Sequence, residues 1–214
     1  MLLEIIRIHI VGKWKMIKYH SSLAGYKQNT SHISTYFKSD LCTVFQHDIC
    51  VQDTLPSEFL KCDILYVEIP WKKGFDVFNE RAEIKDKRTY HLFLNHLSKL
   101  ILNTGTPIII LGGKESNKLL PEPASQQILI NSHLNTNYPF IANIYHLDSI
   151  PNFSATEELF DWMSEKFNCI GDFMCGYGTT GREFIKKGKT CVLSDYNKYC
   201  VGYISEHILL WEKE

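Results

Sequence analysis

The stretch from Cys169 to Gly181, C-I-G-D-F-M-C-G-Y-G-T-T-G, most constrains what this chain can fold into. A short apolar run ends at Asp172 and Phe173, Gly176 and Gly178 sit in the turn after it, and Thr179 to Lys187 has helical composition. Strand, glycine turn and helix in that order make the first half of a nucleotide-binding βαβ unit. Cys191 to Ser194 is a second apolar run, so Asp195 is expected at the carboxyl end of the next parallel strand, beside the glycine turn. In a doubly wound sheet that position faces a ribose, and a carboxylate there can accept from both hydroxyls. Glycine turns between strands and helices are common for purely steric reasons. The two glycines followed by an acid after the next strand are the more specific pattern.

Asp172-Phe173-Met174-Cys175-Gly176-Tyr177-Gly178-Thr179-Thr180 resembles the D-P-F-x-G-S-G-T-T motif of the S-adenosylmethionine-dependent DNA amino-methyltransferases, in which this loop carries the cofactor. Phe173 stands in place of the proline and Tyr177 in place of the serine, and close backbone approach requires neither. Ser154-Ala155-Thr156-Glu157-Glu158-Leu159 looks like the family's K-P-x-E-L helix start, which lies beside the methionine end of the cofactor, with Lys and Pro replaced. Thr156 or Ser154 is expected as the N-cap of that helix. The resemblance implies S-adenosylmethionine as cofactor, bound by Asp172, Met174, Cys175, Gly176, Gly178, Thr179, Thr156 and Asp195.

A second informative stretch is Asp63-Ile64-Leu65-Tyr66-Val67-Glu68-Ile69-Pro70-Trp71, which resembles the family's catalytic strand and loop, Asp-Pro-Pro followed by an aromatic residue. The exocyclic amine of a base is a poor nucleophile because its lone pair is delocalised into the ring. A side-chain acceptor and a backbone carbonyl can bind its two hydrogens and draw the nitrogen toward tetrahedral geometry while an aromatic side chain stacks on the extruded base. Here the catalytic set implied is Glu68 as acceptor, Ile69 or a neighbour as carbonyl, Pro70 stiffening the loop and Trp71 as stacker. Glu68 is one methylene longer than the family's Asp, and Ile69 replaces the first proline. The non-methylating partner subunit of the eukaryotic mRNA adenosine methyltransferase also has Glu at this place, so a catalytically silent binding subunit is the competing expectation. A third keeps the fold and changes the substrate to RNA, a nucleotide or a small molecule.

The catalytic-type strand precedes the cofactor loop, and little chain follows Asp195. A third cofactor-side strand must then come from the amino-terminal half, the circularly permuted order of one group of DNA amino-methyltransferases, which implies Asp48 as the neighbour of the cofactor's adenine. The expected fold is α/β: a mostly parallel, doubly wound, Rossmann-like methyltransferase sheet with an antiparallel edge strand. In it the strand ending at Asp172 lies between those ending at Glu68 and at Ser194. Residues 41–214 are expected as one methyltransferase-like domain and 1–40 as an amino-terminal arm. That arm is aromatic and positively tinged between residues 16 and 40, suited to stacking on bases or simply to packing on the core. Residues 78–102 read as one amphipathic helix, Thr106 to Leu111 as a central strand, Phe140 to Leu147 as a strand at the antiparallel edge, and Gln126 to Asn135 as either helix or strand.

A net charge of −1 gives no global pull toward nucleic acid, so such a partner needs a local basic patch. Lys72, Lys73 and Lys114 are the expected substrate-binding cations, with Arg81, Lys85, Lys87 and Arg88 extending the basic run or merely facing solvent. The substrate expected is nucleic acid, DNA first. No insertion is long enough for a separate target-reading domain, so the chain is expected to dimerise or work with a partner subunit, read very little, use its amino-terminal arm, or act on something other than duplex DNA. The cysteines at 42, 50, 62, 169, 175, 191 and 200 form no C-x-x-C pair and read as reduced thiols of a cytoplasmic protein, with no metal site. The amino-terminal run is broken by Glu4, Arg7 and His9, so neither a membrane span nor a signal peptide is expected there.

Overall fold

The computed structural model describes residues 6–10, 13–17, 36–52, 54–86, 88–122, 125–131 and 139–213. Two amino-terminal strands, β1 (Ile6–Ile10) and β2 (Lys13–Ile17), pair antiparallel in a hairpin of their own. Most of the expected base-stacking arm, and Lys87, lie outside the described residues.

The main sheet has the order β3-β4-β10-β9-β5-β6-β8-β7. Its centre is five parallel strands: β4 (Cys42–Gln46), β10 (Thr190–Asp195), β9 (Cys169–Asp172), β5 (Ile64–Glu68) and β6 (Ile108–Gly112). These read as near-continuous apolar runs because helices cover both faces; all five residues of β6 are buried. β9 lies between β5 and β10, as the motif order requires.

Antiparallel strands close both ends. β3 (Tyr36–Lys38), from within the expected amino-terminal arm, pairs with β4. At the far side β8 (Phe140–Tyr145) pairs with β6, and β7 (Gln126–Ile130) is outermost. The antiparallel element is therefore a pair, with Phe140–Tyr145 one place in from the edge. The open reading of the Gln126 run resolves as a strand, with an exposed Leu129 between buried Ile128 and Ile130.

One face of the sheet carries the 3₁₀ turn Ser57–Lys61 and two helices, α1 (Lys72–Arg81) and α2 (Tyr90–Asn103). The other carries α4 (Thr156–Lys166), α5 (Thr179–Ile185) and α6 (Lys198–Trp211); a short α3 (Lys114–Asn117) follows β6. The single helix expected over 78–102 is two helices. Between them Ala82 and Ile84 are the only apolar residues in a charged run, so the apolar stripe lapses there. Thr89 then restarts the helix, its hydroxyl accepting from Leu92 N–H at 3.1 Å. From there Phe93, Leu94, Leu97, Leu100 and Ile101 bury one face.

The cap of α4 differs from expectation too. Ala155 is the N-cap, and Glu158 reaches back to accept from both the amide and the hydroxyl of Ser154 at 2.7 Å. Thr156 is the first helical residue and is buried, so its hydroxyl does not cap.

Packing is tightest under β9. A Cβ at Gly171 would stand 2.6 Å from Leu65 Cδ2 and 2.8 Å from the Phe59 ring. Phe59 packs edge-on against Phe173 at 5.9 Å, so Phe173 anchors the turn from below. Gly171→Ala should therefore lower unfolding stability by about 1–3 kcal/mol through overpacking. Denaturant unfolding with an unchanged midpoint would contradict this reading of the core.

Candidate active site

Strand alternation brings the acids together. Ile64 and Tyr66, Ile170, and Cys191 and Leu193 all face the α4–α6 core. Two residues along each strand stand Glu68, Asp172 and Asp195, so the three carboxylates share one face at the carboxyl rim of adjacent strands β5, β9 and β10.

Asp172 is 3% exposed, and its two oxygens organise the turn that follows. Oδ1 accepts from Met174 N–H at 3.0 Å and Oδ2 from the Thr180 hydroxyl at 2.9 Å. Cys175 N–H donates to Ser194 O at 3.0 Å, tying the turn to β10. Gly176 (φ +52°) and Gly178 (φ +80°) take left-handed conformations that a side chain would strain. The turn is braced behind and open in front. A Cβ at Gly178 would meet Trp211 at 3.0 Å and Ile204 at 3.1 Å, whereas one at Gly176 would meet nothing within 4 Å. Asp195 closes the arrangement by accepting from Gly176 N–H at 2.9 Å and Asn197 N–H at 2.8 Å. Thr179, exposed, opens α5, and Met174 is half-buried.

Burial pushes the Asp172 carboxyl from 3.8 up to about 7, opposed by the Met174 and Thr180 donors and reinforced by the nearby carboxylates of Asp195 and Glu68. Burial likewise raises Asp195 to about 6, against its two amide donors, with Asp48 adding to the rise. A rim of crowded, desolvated acids above an open glycine turn suits a ligand that donates hydrogen bonds, as a ribose diol does.

The second loop starts at Glu68, half-buried at the end of β5. Ile69 N–H donates to Leu111 O at 2.7 Å, so the ladder with β6 runs one step past Glu68. The Pro70 carbonyl accepts from the Tyr90 hydroxyl at 2.9 Å, and the Tyr66 hydroxyl lies 3.5 Å from Glu68 Oε2 as donor. Trp71 is the N-cap of α1 and is 46% exposed. Its ring lies over Gly113, where a Cβ would stand 3.4 Å away, and 6.2 Å from the Phe140 ring. The tryptophan is thus held from one side and open on another.

The other expected residues are placed less centrally. Lys72 and Lys73 are exposed in the first turn of α1, and Lys114 is exposed at the start of α3, close to the glycine beneath Trp71. Thr156 is reached indirectly, through Phe160 of the same helix, whose ring meets that of Tyr66 at 5.3 Å. Asp48 follows β4; its Oδ1 accepts from Cys50 N–H at 2.9 Å and its Oδ2 forms an ion pair with Arg88.

Sequence reasoning missed the roles of Tyr66, Tyr90, Thr180 and Arg88. Tyr66 had a signal, a hydroxyl in the middle of an apolar strand, and Thr180 lay inside the motif itself. Tyr90 and Arg88 act through contacts with residues far away in sequence and had none. Among the described residues no group of three or more His, Cys, Asp or Glu could hold a metal ion, and no helix is long and apolar enough to cross a membrane.

No protein-family model matches the chain, and no curated protein sequence does. Solved structures similar in fold include M1.HpyAVI, at 11% identity and a TM-score of 0.49, covering 78% of this chain and 98% of that one. The complex of M1.HpyAVI with SAM gives 12% identity and a TM-score of 0.46 over the same shares. TTHA0409 from Thermus thermophilus, assigned as a DNA modification methylase and solved with S-adenosyl-L-methionine, gives 11% identity and a TM-score of 0.48, covering 78% of this chain and 93% of that one.

The raised carboxyls make stability depend on pH. A folded-state value above the unfolded one means that the native protein holds its proton longer, so this contribution is full below about 3.8 and is lost as pH rises toward 7 at Asp172 and toward 6 at Asp195. Asp172→Asn should flatten the fall in unfolding free energy between those limits. Denaturant titrations of both proteins across that range test it, and equal slopes would rule it out.

Proposed function

We propose that the chain is an S-adenosylmethionine-dependent methyltransferase acting on an exocyclic amine, with adenine N6 in DNA as the substrate its loop chemistry fits best. One observation carries the reading: the glycine turn, Asp195 and the Glu68-Ile69-Pro70-Trp71 loop stand on adjacent strands at one rim. The chain order, catalytic strand before cofactor strand, is the one the circularly permuted arrangement requires.

In this reading the cofactor lies across Cys175 to Gly178, its ribose hydroxyls donate to Asp195, and Asp172, Met174, Thr179 and Thr156 line its methionine side. The bound cofactor supplies a methyl group on a sulfonium, already a good leaving group, so orientation governs the rate and no metal is needed. Trp71 stacks on the base. Glu68 accepts one amine hydrogen and a loop carbonyl the other, which localises the nitrogen lone pair for in-line attack. The amine's surplus proton leaves to Glu68 or to water after transfer. Tyr66 donates to Glu68 and Tyr90 fixes the Pro70 carbonyl, so the loop is held although Ile69 stands where a second proline would stiffen it. Lys72, Lys73 and Lys114 are placed to meet phosphates beside the extruded base, and a second copy or partner subunit supplies target selection.

Labelled cofactor incubated with DNA, RNA and nucleotides tests the proposal directly. Methyl transfer to adenine in DNA is expected, falling at least roughly tenfold in Glu68→Gln with cofactor affinity nearly unchanged, because the lost interaction acts mainly in the transition state. Wild-type protein that binds cofactor yet methylates nothing would mark a silent binding subunit. Asp195→Ala should weaken cofactor binding about 10- to 100-fold through lost charge-assisted hydrogen bonds. Unchanged calorimetric affinity in the folded variant would remove Asp195 from the site.

A further inference from the structure

Residues 82–86 and Arg88 connect α1 to α2, and both helices pack on the face of the sheet that holds Phe59 and Phe173. α6 packs on the opposite face, with Val201, Ile204 and Ile208 in the core around Leu193. Yet Glu83 accepts a hydrogen bond from the Tyr199 hydroxyl at 2.8 Å, and Lys198 Nζ lies 3.9 Å from the same carboxylate oxygen. Lys198 and Tyr199 are the first turn of α6, which follows β10 directly after Asp195, Tyr196 and Asn197. A segment anchored on one face whose side chain bonds to the first turn of a helix on the other reaches the carboxyl edge of the sheet. It does so at the end of β10, where Asp195 stands.

A second anchor lies beside the first. Arg88 pairs with Asp48 just beyond β4, the neighbour of β10, with its side chain only 9% exposed. The same guanidinium lies close enough to the Cys50 thiol and the Tyr196 phenol to act on both. Glu83 itself has φ +61°, the left-handed conformation that ends α1: its amide donates to Glu80 O at 3.0 Å and the Ile84 amide to Asn79 O at 3.1 Å. The Glu83 contact is open to solvent and weak on its own; the half-buried Arg88–Asp48 pair is the stronger hold.

We infer that this segment forms a wall of the cofactor site, clamped by Arg88–Asp48 and Glu83–Tyr199 over the end of the site that receives a purine nucleoside. The inference rests on the cofactor reading above and extends it: Arg88, Glu83 and Tyr199 are positioning residues that hold the wall closed on the ligand. Arg88 also neutralises Asp48, whose carboxylate bears on Asp195. The nucleoside therefore meets one free acid, Asp195, rather than two. Because the segment leads out of the catalytic half of the chain and is fastened to the cofactor half, it ties ligand retention to the placement of the Trp71 helix.

Association and dissociation rates of S-adenosylmethionine and S-adenosylhomocysteine, measured by stopped flow or surface plasmon resonance, test the clamp. Arg88→Met should accelerate dissociation about tenfold, the scale of one lost charge-assisted contact. Arg88→Lys, which keeps the charge, should restore most of the retention, and Glu83→Ala should give a smaller acceleration in the same direction. In ligand-free protein, trypsin should cut after exposed Lys85 faster in Arg88→Met than in wild type. A folded Arg88→Met protein with unchanged dissociation overturns the wall, as does one that binds more tightly, since the segment would then exclude the ligand. Wild-type protein that binds neither compound overturns the cofactor reading itself, a result distinct from binding with unaltered kinetics.

Discussion

The arrangement depends on one desolvated carboxylate. Asp172 ends the central strand, and removing it from water is tolerable only because Met174 N–H and the Thr180 hydroxyl occupy its oxygens. Those two bonds set the direction of the chain out of β9 and the start of α5. The same turn presents Gly176 N–H to Asp195, so the acid of one strand positions the acid of the next through the backbone between them. Four carboxylates, Asp48, Asp195, Asp172 and Glu68, then follow one another along the rim. Burial, with the neighbouring carboxylates adding to it, raises the proton affinity of Asp172 and Asp195, and such a rim favours ligands that bring donors or positive charge.

The acceptor loop is built to a different plan from the glycine turn. The turn is fixed by its own backbone and braced by Trp211 and Ile204 behind Gly178. The Glu68 loop has a single proline, Pro70, and its geometry is supplied by neighbours. Leu111 takes the Ile69 amide, Tyr90 takes hold of the Pro70 carbonyl, Tyr66 stands beneath the Glu68 carboxylate and Gly113 leaves room for Trp71. Rigidity that one sequence obtains from a pyrrolidine ring can be obtained in another from phenolic hydrogen bonds to the same backbone.

The break between α1 and α2 has the same logic on a larger scale. A charged run is a poor helix, and the chain leaves the face of the sheet there and returns to it at α2. Arg88 holds the run through Asp48, just beyond β4, and Glu83 through Tyr199 in the first turn of α6. The hold on that segment belongs to pairs of residues from distant parts of the chain.

The sequence by itself determined the central sheet and which acids end its strands. The continuous apolar runs of β5, β6, β9 and β10 announce strands buried on both faces, and a glycine turn between strand and helix followed by an acid announces a ligand edge, because both patterns follow from local sterics and burial. The order of motifs alone places β9 between β5 and β10. The division of the long helical run is seen only in the folded chain, where Thr89 caps α2, Arg88 pairs with Asp48 and the apolar stripe of α2 faces a core. The tertiary structure alone showed that Ala155 rather than Thr156 caps α4, and that the antiparallel strands flank both sides of the sheet. The physical reason is the same in each case. Periodicity and turn chemistry act over a few neighbouring residues, whereas an ion pair or a phenol-to-carbonyl bond is chosen by whichever groups the fold happens to bring within reach.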